Sequence, residues 1–467
     1  FFVFTARVFE AVAGVVVVGM LARYLGLSDF GEYSVVMAVV WIAQPIISME
    51  IPRILVVELS RDVSRTAGYI GTGMACNIIV FTILVLALWL VGILLGGMPF
   101  YYYIGLSIGL FLTLTQTVST GFIAYEQMKY DTYTSLIVIF FLILFTAGVI
   151  FLNLGLPRVF LAAALANFCG FIVSSFFNKE VIGFIPVPVM DYKILKGLLA
   201  GSIALSLIQI LEQLLVYCGV FFLKNMTGNI DVALFQAPMR IFLKFMLIPL
   251  SLMMALMPLF SRLAAVPEKN SELVKTTQTV FKIFMIASML LTLVAFTTAK
   301  EVIPLIFGDA FAASIAGFKV IILGTTFFFI NIFYVLLCMV CDRIRSFAVI
   351  KITGMILCLF LNLVLVPGYG YIGSMWAVVL SSCMMFFAGY IFFWDLFQKE
   401  SLKSMVLIFV SGFGIVAVLN YMHSMYFMIS LAASLLCFSC VMIVTKIVVW
   451  NELLPLLKVI KRFPLRG

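Results

Sequence analysis

Arg240 and Lys244 lie four residues apart inside one long apolar segment. At that spacing two side chains share a face of a helix, where like charges repel each other. A basic side chain near the centre of a bilayer costs about 2.5–3.5 kcal/mol, so the pair needs something that offsets this cost. Phosphate oxygens would do so, because they accept charge-assisted hydrogen bonds and a guanidinium can bind two of them at once. We therefore predict that Arg240 and Lys244 face a water-filled cavity that admits a pyrophosphate group.

Two more basic residues lie in the first two apolar segments, Arg7 in the first and Arg53 in the second. Both are near the predicted cytoplasmic end, from which a long side chain can reach the membrane surface. Glu10 and Glu50 lie three residues from Arg7 and Arg53, a spacing that allows an ion pair within one helix. Arg7 and Arg53 are therefore secondary candidates for the same anion site.

A second interpretation of these charges needs no bound anion. Glu212 lies near mid-depth of a predicted span and would neutralise Arg240 or Lys244 if the three residues formed an internal ion pair. Both interpretations are left open by the sequence.

The elements that carry these residues are predicted to be transmembrane helices. The 467 residues are 65% hydrophobic and only 10% charged, against about a quarter charged in soluble proteins. Crossing a bilayer takes about 20 apolar residues as a helix, and the apolar runs do not alternate as the strands of a barrel would. We predict an all-α membrane protein with about 14 spans. They are 2–24, 32–56, 68–95, 101–124, 132–153, 157–178, 197–223, 232–260, 277–299, 316–341, 346–366, 372–396, 404–421 and 425–449.

The basic residues of the connecting segments indicate the orientation. About 20 lie on one set of alternate connections and about 5 on the other, so the positive-inside rule places both termini in the cytoplasm. The net charge of +9 is spread over short loops and forms no basic face, which argues against a nucleic-acid partner.

A weak internal repeat predicts the domain organisation. A shift of about 201 residues sets Arg23 on Lys224, and the Ser-Arg pair at 60–61 on the pair at 261–262. Parallel repeats of this kind occur in transporters that bind substrate near the midplane between two halves. The prediction is an N-terminal lobe at 1–178, a cytoplasmic linker at 179–196, a C-terminal lobe at 197–396, and two appended helices with a basic tail at 397–467.

The sequence offers little for catalysis or metal binding. The CxxC pairs at 338–341 and 437–440 lie in apolar runs without a histidine or acidic co-ligand, and His423 has no nucleophile or carboxylate beside it. No phosphate-binding loop of the GxxxxGK[ST] type occurs. We predict a protein that is not an enzyme and uses no cofactor.

Four segments have a recognisable sequence: ARYLGLSDFGEYSVV at 22–36, IPRILVVELSR at 51–61, IPLIFGDAFAASIAGFKVIIL at 303–323 and NLVLVPGYGYIGSMWAVVLSS at 362–382. Their glycines and prolines are expected to form turns at helix ends, with reversals of the chain near Gly26 and between Pro367 and Gly370. Together the segments resemble the Wzx-type polysaccharide flippases of the multidrug, oligosaccharidyl-lipid and polysaccharide exporter superfamily.

The resemblance implies two lobes around a central cavity that opens alternately to the two sides of the cell membrane. The implied substrate is a polyprenyl-pyrophosphate-linked oligosaccharide of polysaccharide or lipopolysaccharide biosynthesis. In related lipid II flippases, cavity arginines on helices one, two and eight serve the pyrophosphate, and this chain has Arg7, Arg53 and Arg240 with Lys244 on those helices. The first-helix arginine cluster of the lipid II flippases is absent, so their motif does not align residue by residue.

We expect a monomer that works with polysaccharide assembly proteins, and transport driven by a Na⁺ or H⁺ gradient, by the membrane potential or by removal of the flipped substrate. Candidates for the ion site are Glu212, Glu50, Glu10 and Asn362, among which the spacing does not discriminate. The alternative function within the superfamily is a multidrug cation antiporter, which would favour unpaired acidic residues over Arg240 and Lys244.

Overall fold

The computed structural model describes residues 2–62, 65–94, 96–265 and 270–421. Their contacts group the chain into two compact units, Phe1–Ala233 and Leu234–Gly467. The first unit holds α1 (Phe2–Ser48), α2 (Ile51–Arg61), α3 (Thr66–Leu94), α4 (Tyr101–Ala124), α5 (Met128–Phe151), α6 (Leu156–Ile182), α7 (Tyr192–Met226) and the start of α8 (Asn229–Phe245). The second holds the rest of α8, then α9 (Leu247–Ala264), α10 (Asn270–Thr297), α11 (Ala299–Phe307), a 3₁₀ turn (Asp309–Phe311), α12 (Ser314–Leu323), α13 (Thr325–Val340), α14 (Ile344–Phe392) and α15 (Trp394–Tyr421).

Nine helices of the described residues are long and apolar enough to cross a membrane, or ten if a bent pair counts as one span. Two of them, within α1 and α14, are longer than one crossing needs. Those helices have 47 and 49 residues, about 70 Å if straight, against a hydrocarbon core of about 30 Å. Each contains one glycine with non-helical backbone, Gly26 (φ 68°) and Gly370 (φ 54°). Each therefore holds two of the predicted spans.

The bend at Gly370 is a full reversal of the chain. The hydroxyl of Ser374 donates a hydrogen bond of 2.7 Å to Oδ1 of Asn362, whereas twelve residues of straight helix would separate the two by about 18 Å. Beside them, a Cβ on Gly373 would lie 2.5 Å from the carbonyl oxygen of Leu365. The predicted turn is confirmed, and glycine is required where the two antiparallel segments touch.

The prediction of an all-α membrane protein is confirmed for the part of the chain that the structure describes. The thirteenth predicted span lies within α15, whereas the fourteenth, 425–449, lies outside the described residues together with His423 and the cysteines at 437 and 440. The relation of the two halves by a parallel repeat stays a prediction.

The first unit is built around the short helix α2. Ile51, Leu55 and Leu59 are fully buried on one side of it and pack against α3, α4 and Leu198 of α7. A Cβ on Gly201 of α7 would lie 3.2 Å from Ile54 of α2. The inner half of α7 therefore packs with the first unit.

The segment between α6 and α7 is fastened to α3 by backbone contacts. The Val189 N–H donates to the Gly71 carbonyl over 3.2 Å, and the Asp191 N–H donates to the Thr72 hydroxyl over 3.3 Å. Asp191 then caps α7, because its carboxylate accepts from the N–H groups of Lys193 and Ile194. Val187–Asp191, in the middle of the predicted linker, thus follows the surface of α3.

The predicted tenth span, 316–341, is not continuous, because α12 and α13 meet at a bend of 46° next to Gly324. Thr292 of α10 donates a hydrogen bond of 3.2 Å to the Ile322 carbonyl, which the bend leaves without its helical partner. Ser288 of α10 also bonds Thr326 over 2.9 Å. The hydroxyls of Thr292 and of Thr325, which donates to the Ile322 carbonyl over 2.6 Å, thereby satisfy the broken backbone, as a lipid environment requires.

Aromatic side chains fill the core of the second unit around Tyr334. This ring is fully buried, contacts Phe386, Phe393 and Phe397, and donates its hydroxyl hydrogen bond to the Phe386 carbonyl over 3.1 Å. Gly389 lies against the ring, where a methyl group would overlap it. Because the hydroxyl is bonded and the ring is enclosed, Tyr334 has no room to move aside.

We expect Gly389→Ala to lower the free energy of unfolding by about 1–3 kcal/mol, the usual cost of overpacking a filled core. The measurement is thermal unfolding in detergent. Gly148→Ala is the matched control, since a Cβ on Gly148 of α5 meets nothing within 4 Å. Equal melting temperatures for the two variants would contradict this account of the core.

Candidate substrate-binding site

Arg240 and Lys244 lie in the last two turns of α8, on the face that the spacing predicts. Pro249 lacks the N–H that would bond the Phe245 carbonyl, which explains why α8 ends at Phe245 and α9 begins after Met246. Arg240 is half-buried, with Nε and Nη2 shielded from solvent, and Lys244 is exposed. The side chains on this face become more accessible from Arg240 towards the end of the helix.

Glu50 and Arg53 form the ion pair that their spacing predicts, with 2.9 Å between Glu50 Oε2 and Arg53 Nε. Glu50 is 8% exposed, while the Arg53 side chain is more than half exposed. Glu212 of α7 also acts electrostatically on the Glu50 carboxylate. The structure thus brings together Glu50, Arg53 and Glu212 within the first unit.

The predicted second span, 32–56, is interrupted by a break in the helix. The helix stops at Ser48 and restarts at Ile51, with Met49 (φ 46°) and Glu50 (φ 52°) in the left-handed region that non-glycine residues rarely adopt. Pro52 has no N–H for the Ser48 carbonyl and suits the first turn of a new helix. The Ser48 hydroxyl accepts the Glu50 N–H at 3.3 Å. A partly buried carboxylate therefore lies at a break inside a membrane span.

Asn362 braces the reversal at Gly370. Its amide nitrogen donates to the Cys358 carbonyl over 2.8 Å, while its oxygen accepts from Ser374. The residue is fully buried, in the second unit. Its observed contacts are structural, and its predicted part in ion coupling stays a prediction.

The remaining predicted residues are not assembled into a site by the contacts described. Arg7 and Glu10 lie on the first helix, where Glu10 is half-buried and the Arg7 side chain lies outside the described residues. The alternative pairing of Glu212 with Arg240 or Lys244 joins residues of different units and also stays a prediction.

A polar network at the predicted outer end of the first unit escaped the sequence analysis. The Glu32 carboxylate accepts hydrogen bonds from Tyr101 at 3.2 Å and Tyr102 at 3.0 Å, and it pairs with Lys224. Asn229 closes the network, because it bonds Glu32 over 3.3 Å and accepts from Lys224 at 2.6 Å. These contacts tie α1, α4, α7 and the start of α8 together. The sequence signal for this network was an acidic residue at the start of one predicted span, Glu32, and a basic residue at the end of another, Lys224, 192 positions later.

A bidentate ion pair lies at the predicted cytoplasmic end of the second unit. Arg343, just before α14, donates two hydrogen bonds to Asp395 of α15, at 2.8 and 3.1 Å. These bonds raise the pKa of the Arg343 guanidinium above its usual value. The guanidinium also lies 5.8 Å from the centre of the Phe393 ring. This bidentate pair is half-exposed and fixes the start of α14 to the start of α15, so it is not available as an anion site.

Comparisons with known proteins agree on the type of chain. A family model described as polysaccharide biosynthesis protein matches residues 1–264. No curated protein matches significantly. The lipid II flippase MurJ in an inward closed conformation has 12% identity and a TM-score of 0.69, covering 95% of this chain and 99% of its own.

Multidrug exporters share the fold as well. An inward-facing multidrug resistance MATE family transporter of the MOP superfamily has 12% identity and a TM-score of 0.61, covering 82% of this chain and 93% of its own. The Vibrio cholerae MATE transporter VcmN in its bent form has 14% identity and a TM-score of 0.53, covering 87% and 96%. At these identities the likeness establishes the fold and leaves the substrate open.

We expect Lys224→Met to lower the free energy of unfolding by about 1–2 kcal/mol, because the shielded Glu32 loses a charged partner that is itself a third exposed to solvent. Thermal unfolding in detergent measures the change. Lys193→Met, at the exposed other end of α7, is the control and should unfold like the wild type. If the two variants unfold alike, the network adds nothing to stability.

Proposed function

Since the chain belongs to the polysaccharide biosynthesis protein family, we propose that it is a flippase, which moves a polyprenyl-pyrophosphate-linked oligosaccharide from the cytoplasmic to the outer leaflet of the cell membrane. The observation that carries the proposal is the pair of cations on one face of α8, Arg240 and Lys244. The transporter fold, shared with a lipid II flippase, supports it.

In this proposal Arg240 binds the pyrophosphate through its planar guanidinium and Lys244 adds a second positive charge one turn away. Both side chains only donate hydrogen bonds and phosphate oxygens only accept them, so the groups are complementary. Arg53 and Arg7 serve the headgroup at the cytoplasmic entrance, with Arg53 released from Glu50 when phosphate competes for it. The negative charge of the substrate offsets the cost of cations in the membrane.

Energy for transport is proposed to come from a Na⁺ or H⁺ gradient. Glu50 is the foremost candidate for the ion site, because it is a buried carboxylate at a helix break and has Glu212 nearby. Broken helices inside the membrane hold coupling ions in several transporter folds. Glu10 and Asn362 are the further candidates. No step of this cycle makes or breaks a covalent bond, so the protein acts as a transporter and not as an enzyme.

The proposed orientation has both termini in the cytoplasm, as the basic loops indicate. The proposed working form is a monomer that hands the glycan to polysaccharide assembly proteins. Two lobes, 1–178 and 197–396, would then rock about the substrate, with α15 leading beyond them into the C-terminal spans.

A multidrug cation exporter is the second candidate, favoured by the similarity to the MATE transporters. A cationic drug would be repelled by Arg240 and Lys244, so we expect the purified protein to retain polyprenyl-pyrophosphate-linked sugar and not ethidium. Retention is measured by size-exclusion chromatography in detergent. Ethidium bound in preference to the lipid-linked sugar would favour the exporter.

We expect Arg240→Ala and Lys244→Ala each to abolish export of lipid-linked glycan while membrane insertion stays intact. Loss of one charge-assisted hydrogen bond weakens phosphate binding by about tenfold or more. Export is measured as glycan at the cell surface of a strain that lacks its own flippase, and insertion as protein in the membrane fraction. Lys193→Ala, an exposed residue of α7, is the control. Wild-type surface glycan in both α8 variants would refute the assignment.

A further inference from the structure

Gln236 is a buried amide one turn before Arg240 on α8. It is 0% exposed, and neither Oε1 nor Nε2 has a hydrogen-bond partner. A side-chain amide carries two donors and an acceptor with two lone pairs, so its entire hydrogen-bonding capacity is unused. Such a group is costly to bury in a membrane span, where an apolar residue of the same shape would be free of that cost. Gln236 therefore has no evident structural purpose in this state.

The position of Gln236 relates it to the proposed headgroup site. Residues at i and i+4 share a helix face, so Gln236, Arg240 and Lys244 form a single stripe along α8. One turn separates neighbours in this stripe by about 6 Å along the axis. The stripe runs from a fully buried amide through a half-buried guanidinium to an exposed ammonium.

The chemistry of the amide indicates which part of the substrate it meets. Arg240 and Lys244 only donate hydrogen bonds, which matches phosphate oxygens, whereas Oε1 of Gln236 needs a donor. Phosphate offers none above its second pKa, but a sugar hydroxyl or an acetamido N–H does. The first sugar is bonded directly to the pyrophosphate. With the pyrophosphate at Arg240, this sugar would lie about one helical turn away, at the level of Gln236.

We propose that Gln236 is a specificity-determining residue that binds the first sugar of the lipid-linked glycan. This proposal rests on the proposed function, since it needs the pyrophosphate at Arg240 and Lys244. The sugar supplies the donor and acceptors that the buried amide lacks. A flippase would thereby distinguish a loaded carrier lipid from the bare one.

The test compares two probes, undecaprenyl pyrophosphate bearing one N-acetylhexosamine and undecaprenyl pyrophosphate alone. We expect the wild type to bind the sugar-bearing probe about tenfold more tightly, the size of one or two hydrogen bonds to a buried group. Gln236→Met keeps the shape of the side chain and removes its polar atoms. This variant should bind the bare probe as the wild type does and lose the preference for the sugar.

Stability without ligand gives a second readout that a structural role would not produce. Gln236→Met should melt at or above the wild-type temperature, because it removes an unsatisfied buried amide. The contrasting control is Gln278→Met, since the Gln278 amide donates to the Phe397 carbonyl over 3.1 Å and supports the start of α15. That variant should melt lower and keep the preference for the sugar.

The outcomes separate this proposal from the proposed function. An unchanged preference in Gln236→Met, or a lower melting temperature without ligand, would overturn the role of Gln236 alone. Failure of the wild type to retain either probe, or retention by Arg240→Ala equal to that of the wild type, would overturn the flippase proposal and this inference with it.

Discussion

A helix that stops inside a membrane leaves carbonyl and N–H groups that water cannot reach, and this constraint explains several of the buried polar side chains in the described part of the chain. At the bend in the tenth span, Thr292 bonds the Ile322 carbonyl. At the break in the second span, Ser48 accepts the Glu50 N–H. At the reversal near Gly370, Asn362 bonds both sides of the turn. Prolines and glycines create the breaks, and short polar side chains make them tolerable.

Polar groups that satisfy the backbone can then be separated from those that do not. Asn362 has observed contacts that account for its burial, so its presence in a membrane span needs no ligand to explain it. Gln236 has none, although it lies in the same kind of apolar surroundings. Arg240 and Lys244 follow it on the same helix face and carry charge as well. The buried amide of Gln236 is therefore a polar group on α8 that the observed contacts of the fold do not account for.

Much of this organisation could be predicted from the sequence, because apolar length and turn residues are local signals. The non-helical backbone at Gly26, the reversal at Gly370 and the ion pair of Glu50 with Arg53 all depend on residues within a few positions of each other. The pairing of Glu32 with Lys224 joins residues 192 positions apart, and only tertiary packing brings them together. The break before Ile51 is an intermediate case. Pro45 and Pro52 are local signals of a break, but they lie in a long apolar run that resembles a single span.

The charge of the membrane interior is what distinguishes the two functions that this fold supports. Flippases and multidrug exporters share the architecture, so the arrangement of helices does not select a substrate. In the first unit, Glu50 and Arg53 largely neutralise each other within one turn. On α8, Arg240 and Lys244 share a face, whereas Asp231, the acidic residue among positions 229–245, lies near the other end of the helix and on its opposite side. In the proposed site, Arg240 and Lys244 attract a pyrophosphate and repel a cationic drug.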